Sequence, residues 1–252
     1  MGPAEEPLLS VVIPARNEEG VLAATMDELE EALREDGVPF ELVLVNDNST
    51  DHTHAILVER SARDEHVHMV EPGPPPGFGR AVRAGLEAMQ GEVVVICMAD
   101  RSDDPADVVA YYRKICEGYD CVFGSRFIPG AHVEKYPPLK RAVNRVVNKC
   151  VQTLFCCPFN DLTNAFKAYR RDVIRTCGPY RSCHFNITIE MSLSALIRGF
   201  RIAQIPIRWY GRTWGSSHLS LREMGRRYLA TLIKVAAERF LILDDVMAER
   251  RS

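Results

Sequence analysis

No stretch of this 252-residue sequence approaches the roughly 20 consecutive apolar residues that a membrane-spanning helix needs. Contact with a membrane is therefore expected at its surface or through a small anchoring partner. A secretory signal peptide is also missing. The eight cysteines, Cys97, Cys116, Cys121, Cys150, Cys156, Cys157, Cys177 and Cys183, include no paired C-x-x-C elements. That spacing argues against a zinc ribbon and against a disulfide framework, so reduced thiols and a cytoplasmic location are expected. There is no internal repeat, no low-complexity tract beyond a short proline run, and no clean linker. The Gly-Pro-Pro-Pro-Gly-Phe-Gly-Arg run at 73–80 lacks the Lys-Ser/Thr of a P-loop and reads as a turn into a helix. His132, His184 and His218 are scattered rather than spaced as metal ligands.

The net charge of −3 hides an asymmetry. Residues 1–125 carry 9 basic and 25 acidic side chains, whereas residues 126–252 carry 22 basic and 9 acidic ones. An acidic half suits a metal and neutral sugar or base groups. A basic half suits phosphates or an anionic membrane face. Mutual neutralisation of the halves across their contact accounts for part of the pattern.

Strand and helix signals alternate through the first half. Strands are expected at 8–14, 40–45, 67–71, 93–97 and 121–124, with helices at 18–35, 51–62, 80–89 and 105–116. Such alternation implies an α/β fold, a mainly parallel sheet flanked by helices. In the second half, 129–138 reads as a mobile loop and 139–155 as a basic helix. Strands are expected at 166–169 and 201–209, and helices at 187–197 and 220–248. The last helix carries Leu221, Met224, Tyr228, Leu232 and Val235 on one side, with Arg222, Arg226 and Arg227 off it. It either packs on the body or rests on a membrane or membrane partner.

Three buried strands finish abruptly in polar groups. Val11–Pro14 is followed by Arg16, Asn17 and Glu18; Leu42–Val45 by Asn46 and Asp47; Val93–Cys97 by Asp100, Asp103 and Asp104. In an open parallel sheet, ligands sit beyond the carboxyl ends of the strands. Asp47 is placed to accept hydrogen bonds from a base or ribose. Asp100 is placed to hold a hard divalent cation, and through it a diphosphate. Asn17 and Glu19 are explained equally by capping and by the positive end of a helix. Asp103 and Asp104 read as caps of the helix opened by Pro105, or as part of the acidic site.

These elements resemble family 2 glycosyltransferases of the GT-A (Rossmann-like) fold, and most of all the dolichyl- and polyprenyl-phosphate mannosyltransferases and related glucosyltransferases. The matching pieces are Ile-Pro-Ala-Arg-Asn-Glu-Glu, Asn-Asp-Asn-Ser-Thr-Asp, Ala-Asp-Arg-Ser-Asp-Asp-Pro, Gly-Ser-Arg-Phe at 124–127, Asp-Leu-Thr-Asn-Ala-Phe-Lys-Ala-Tyr-Arg-Arg at 161–171 and Arg-Thr-Trp-Gly-Ser-Ser-His-Leu at 212–219. The resemblance covers residues 8–240 as one continuous domain: a nucleotide-sugar half at 8–125, an acceptor half at 126–219 and the amphipathic helix at 220–248.

The resemblance implies roles. Pro14, Arg16, Glu18, Asp47, Ala99, Asp100 and Arg126 would line the nucleotide-sugar pocket. Asp100, with Ser102 beside it, would ligate Mg²⁺ or Mn²⁺. Arg212 would meet the donor diphosphate or the acceptor phosphate. Arg126, Arg141, Asp161 and Ser217 would form the acceptor side, and Asp100, Asp161 and Arg212 would carry the catalysis. Departures from the family pattern are Asn46 and Met98 where acids are usual, Arg101 for leucine, Asn164 for glycine and His218 for lysine. The expected reaction is inverting transfer of a hexose, first mannose from GDP-mannose and second glucose from UDP-glucose, to a polyprenyl phosphate at the cytoplasmic membrane face. An acceptor that is already ionised needs arginines more than a base. Two alternatives stand: transfer to a hydroxyl, with Asp161, Asp103 or Asp104 as base, and a non-catalytic scaffold, motivated by Met98 and Arg101. Nucleic acid is not an expected partner.

Overall fold

The computed structural model describes residues 6–211 and the helix over 221–249, the side chains of 221–224 and 243–249 excepted. Its first half follows the expected alternation: β1 (Leu9–Ala15), α1 (Leu22–Glu35), β2 (Phe40–Asn46), α2 (Thr53–Arg63), β3 (Val67–Val70), α3 (Phe78–Ala88), β4 (Val93–Ile96), α4 (Pro105–Cys116) and β5 (Cys121–Ser125). The second half adds β6 (His132–Glu134), α5 (Pro138–Phe155), β7 (Lys167–Arg170), α6 (Arg171–Cys177), α7 (Ile187–Ile197), β8 (Ile202–Pro206), β9 (Arg208–Tyr210) and α8 (Leu221–Glu249).

One sheet of seven strands runs in the order β3-β2-β1-β4-β7-β5-β8. Every pairing in it is parallel except those of β7, which is antiparallel to both β4 and β5. Because β7 reverses twice, β5 and β8 again point the same way as β1, β2 and β4. The carboxyl ends of all these strands, and the amino end of β7, therefore share one edge.

The central strands read as continuous apolar runs because both faces are covered. Leu9, Val11 and Ile13 of β1 enter one core layer with Leu22, Met26 and Leu29 of α1 and Tyr112 and Ile115 of α4. Val12 turns to the other layer with Ala81 and Val82 of α3 and Ile189 and Leu193 of α7.

Several boundaries differ from the sequence reading. The first helix starts at Leu22 rather than Glu18. Asn17 does not cap it: this residue adopts a left-handed conformation (φ 56°) and its Oδ1 accepts from the Thr50 amide at 2.8 Å. The 129–138 segment is not simply a loop, because His132–Glu134 pairs in parallel with Arg208–Tyr210 in a separate two-strand ribbon. The expected strand at 201–209 accordingly divides at Ile207, with β8 in the main sheet and β9 in the ribbon. Helix α6 follows β7 without a break. All eight cysteines are free.

Candidate active site

At the shared edge the chain leaves β1, β2 and β4 through three turns that hold one another. The Asp47 amide donates to the Ala15 carbonyl (2.9 Å), the Glu18 amide to Thr53 Oγ1 (2.8 Å), and the Cys97 amide to the Val12 carbonyl (3.0 Å). Thr25 of α1 donates through its hydroxyl to the Ala99 carbonyl at 2.9 Å. Pro14, Glu18, Asp47, Ala99 and Asp100 are buried in this cluster, and Arg16 is exposed at its rim. Six predicted nucleotide-side residues thus lie together.

Asp47 accepts from the Gly77 amide through both carboxylate oxygens, at 2.8 and 3.0 Å. Burial raises its pKa, while the Gly77 amide and the charges of Arg16 and Arg80 pull the other way. The 73–80 run is therefore a turn that braces Asp47. Gly79 within it is obligatory, since a Cβ there would lie 2.5 Å from the Ser182 carbonyl oxygen. Asn46, where the family has an acid, donates from Nδ2 to Glu71 (2.9 Å) and accepts from the Ser49 amide (3.1 Å), a double role that an ionised carboxylate cannot fill.

Asp100 Oδ1 accepts from the Ser102 amide at 3.1 Å. Asp104 caps α4, accepting from the Ala106 amide at 3.0 Å with Pro105 in the first turn. Asp103 is not a cap. Its carboxylate is buried and accepts from the Met98 amide at 2.9 Å. Burial, reinforced by the neighbouring Asp100 charge, pushes its pKa up to about 8. Arg101 is paired with Glu28 of α1.

Among the described residues, no three His, Cys, Asp or Glu side chains gather as a metal cluster. The donors near Asp100 are hard oxygens. Such a set fits a Mg²⁺ or Mn²⁺ ion whose shell is completed by a diphosphate and water, not one caged by protein alone.

The second half supplies a buried ion pair. Asp161 accepts from Arg126 three times: from the backbone amide (3.0 Å), Nε (2.8 Å) and Nη2 (2.7 Å). Their side chains are 0% and 8% exposed. Burial opposes the guanidinium charge, but Asp161 outweighs it and holds the Arg126 pKa above its ordinary value. The rings of Tyr136, Phe127 and Trp209 surround the guanidinium at 5.3–5.6 Å. The β6–β9 ribbon brings Trp209 to this point. Gly124, which opens the Gly-Ser-Arg-Phe motif, admits no side chain because the Tyr111 hydroxyl crosses 1.8 Å from where a Cβ would stand.

Lys167, within the 161–171 motif, reads in sequence as one of the basic half's cations available to an acceptor phosphate, but the structure turns it inward. It is wholly buried, and its ammonium donates to the Leu162 carbonyl (2.7 Å) and to the Asn164 carbonyl, closing the turn that carries Asp161. Burial lowers its pKa to about 7, with the Asp161 charge acting in the opposite sense. A lysine flanked by Phe166 and Ala168 gives no sequence signal of this role. Asn148 and Asn144 of α5 bond the Thr163 hydroxyl at 2.9 and 2.5 Å, seating α5 on the same turn. Arg141 lies exposed in the first turn of α5. Arg212, Ser216, Ser217 and His218 lie outside the described residues.

The seven-stranded, mainly parallel sheet flanked by helices, with acids at one carboxyl edge, has the GT-A architecture. Among solved structures, glucosyl-3-phosphoglycerate synthase from Mycobacterium tuberculosis, crystallised with Mn²⁺, UDP and glucosyl-3-phosphoglycerate, shares this fold. The TM-score is 0.70 at 22% identity, over 92% of this chain and 80% of that one. The profile described as glycosyl transferase family 2 matches residues 10–178, and the chain belongs to that family. It is similar to polyprenol monophosphomannose synthase of Mycolicibacterium smegmatis, at 27% identity over 90% of this chain and 84% of that protein. It also resembles undecaprenyl-phosphate mannosyltransferase of Micrococcus luteus, at 27% identity over 83% and 86%. The undecaprenyl-phosphate 4-deoxy-4-formamido-L-arabinose transferase of Shewanella sediminis is 29% identical over 83% of this chain, which spans 61% of that protein. Relatives of this family thus carry different sugars to polyprenyl phosphates.

Proposed function

We propose that this glycosyltransferase moves a hexose, with inversion, from a nucleotide diphosphate sugar to a polyprenyl phosphate. GDP-mannose is the first candidate donor and UDP-glucose the second. The two mannosyltransferase relatives support the first choice. The observation that carries the acceptor class is the state of Asp161. A hydroxyl acceptor needs a carboxylate to take its proton. Asp161 has no exposed surface and is committed to Arg126 through three hydrogen bonds. A phosphate monoester, with a second pKa of about 6, is already ionised and asks only for cations.

In this reading Pro14, Arg16, Glu18, Asp47 and Ala99 hold the nucleotide. Asp100, with Ser102, holds Mg²⁺ or Mn²⁺, which when bound withdraws charge from the departing diphosphate. Arg126 and Arg141 face the acceptor phosphate, and Asp161 fixes the angle of the Arg126 guanidinium. Arg212 and Ser217 complete the site by sequence. Residues 8–240 act as a single domain, peripheral to the cytoplasmic membrane face. A nucleotide-sugar panel with polyprenyl phosphate and Mn²⁺, products identified by mass, tests the proposal. A hexosyl phosphodiester is expected; a glycoside of an added alcohol, with the lipid phosphate untouched, contradicts it.

One observation favours a hydroxyl acceptor. Asp103, buried and bonded to the Met98 amide, has its pKa pushed up to about 8 by burial first and by the neighbouring Asp100 charge next. A base of that strength would give a rate that rises with pH through about 8, a dependence that disappears in Asp103→Asn.

A further inference from the structure

Helix α5 buries one face and leaves a second apolar face uncovered. Asn148, Val151 and Phe155 pack inward. Leu139, Val143, Val146, Cys150 and Leu154 recur at intervals of four, three, four and four, which places them on one stripe. All five are exposed, Leu139 at 72%, Val146 at 63% and Leu154 at 53%. The helix carries four cations, Lys140, Arg141, Arg145 and Lys149, and no acid in its 18 residues. Helix α8 also splits its apolar residues between a buried and an exposed side, though it carries acids as well as cations. Tyr228 and Val235 are buried, while Leu229, Ile233 and Phe240 stand 59–72% exposed. No helix among the described residues is long and apolar enough to cross a membrane.

We propose that the outward stripe of α5 docks on an anionic lipid bilayer, apolar side chains entering the headgroup boundary and the helix's cations meeting lipid phosphates. An apolar stripe flanked by Lys and Arg is the pattern of a helix lying in the interface plane. Charge selects the bilayer over a second copy of this chain, because pairing two α5 stripes would set four cations against four. The docking deepens the polyprenyl-phosphate reading and rests on it for its purpose. Through Asn144, Asn148 and Thr163, α5 is tied to the turn that holds Asp161, so a docked α5 sets the acceptor side beside the lipid surface.

Sedimentation of the full chain with phosphatidylcholine vesicles, alone or mixed equally with phosphatidylglycerol, tests this. The wild type should bind the anionic vesicles, and less so as salt rises. The variant Leu139→Gln/Val146→Gln/Leu154→Gln, altered only at exposed positions, should lose at least about tenfold in partition. It should keep its melting temperature and its turnover of a short, water-soluble prenyl phosphate. Equal vesicle binding by variant and wild type overturns the docking. So does self-association abolished by the variant without any vesicle binding, which assigns the stripe to a second copy. A wild type that glycosylates the short prenyl phosphate but ignores vesicles overturns the docking and leaves the acceptor reading standing. Stripe-dependent vesicle binding with no transfer to any prenyl phosphate keeps the docking and removes the acceptor reading.

Discussion

The acidic and basic halves contribute to the same sheet edge by different routes. In the first, β1, β2 and β4 each deliver their polar residues within a few positions of the strand end, and each is followed by its own helix. In the second, Arg126 leaves β5 and meets Asp161, 35 positions later, under a tryptophan from β9. The proposed donor side is assembled from local βα units. The proposed acceptor side is held by contacts between segments far apart in the chain, the buried Arg126–Asp161 pair among them.

That contrast can be broken first at the ion pair. Asp161→Ala leaves the Arg126 guanidinium buried without its counter-charge, and should cost about 3–5 kcal/mol in urea unfolding. Arg126→Ala should cost a similar amount, and the double variant less than the sum. Additive losses would mean that the two residues act independently. On the donor side, Asp100→Ala should slow metal-dependent transfer by about a hundredfold or more, measured as kcat/KM, with little loss of stability. A large fall in unfolding free energy there would erase the contrast.

Lys167 offers a finer test. Its folded pKa of about 7 lies below the 10.5 of an ordinary lysine. Above about pH 10.5 both states are neutral and no penalty exists. As pH falls from there to 7, the unfolded chain takes up a proton that the fold does not, and stability drops by up to about 1.4 kcal/mol per pH unit. Below pH 7 the difference is constant. Lys167→Met should remove this slope, read from unfolding free energies between pH 7 and 10. The smallest effect is expected at Arg101→Leu, which restores the family residue. It breaks an exposed pair with Glu28, and should change stability by no more than about 1 kcal/mol and turnover not at all.

The same contrast governs how much the sequence discloses. Strands β1, β2 and β4 are legible because burial on both faces demands unbroken apolar runs, and their ends are marked by Asp47 and Asp100. Helices α4 and α7 are legible to the residue, the former because Pro105 and Asp104 announce its start. The β6–β9 ribbon is not, since its three-residue strands are stable only once paired across the chain. The resemblance singles out Arg126 and Asp161 separately, but the sequence gives no sign that they are partners of one another. Asp103 and Asp104 look alike in sequence, yet the first is a buried acid bonded to the Met98 amide and the second is the cap of α4. Asn46 and Arg101, departures from the family pattern, are accounted for by local bonds to Glu71 and Glu28.

The central claim is that a cation held by Asp100 joins the acidic edge to the donor diphosphate. Titration calorimetry of GDP and UDP, with and without Mn²⁺, measures that link directly in the wild type and in Asp100→Asn. The account predicts that Mn²⁺ tightens nucleotide binding to the wild type and not to the variant. Equal tightening in both proteins, or none in either, would contradict it.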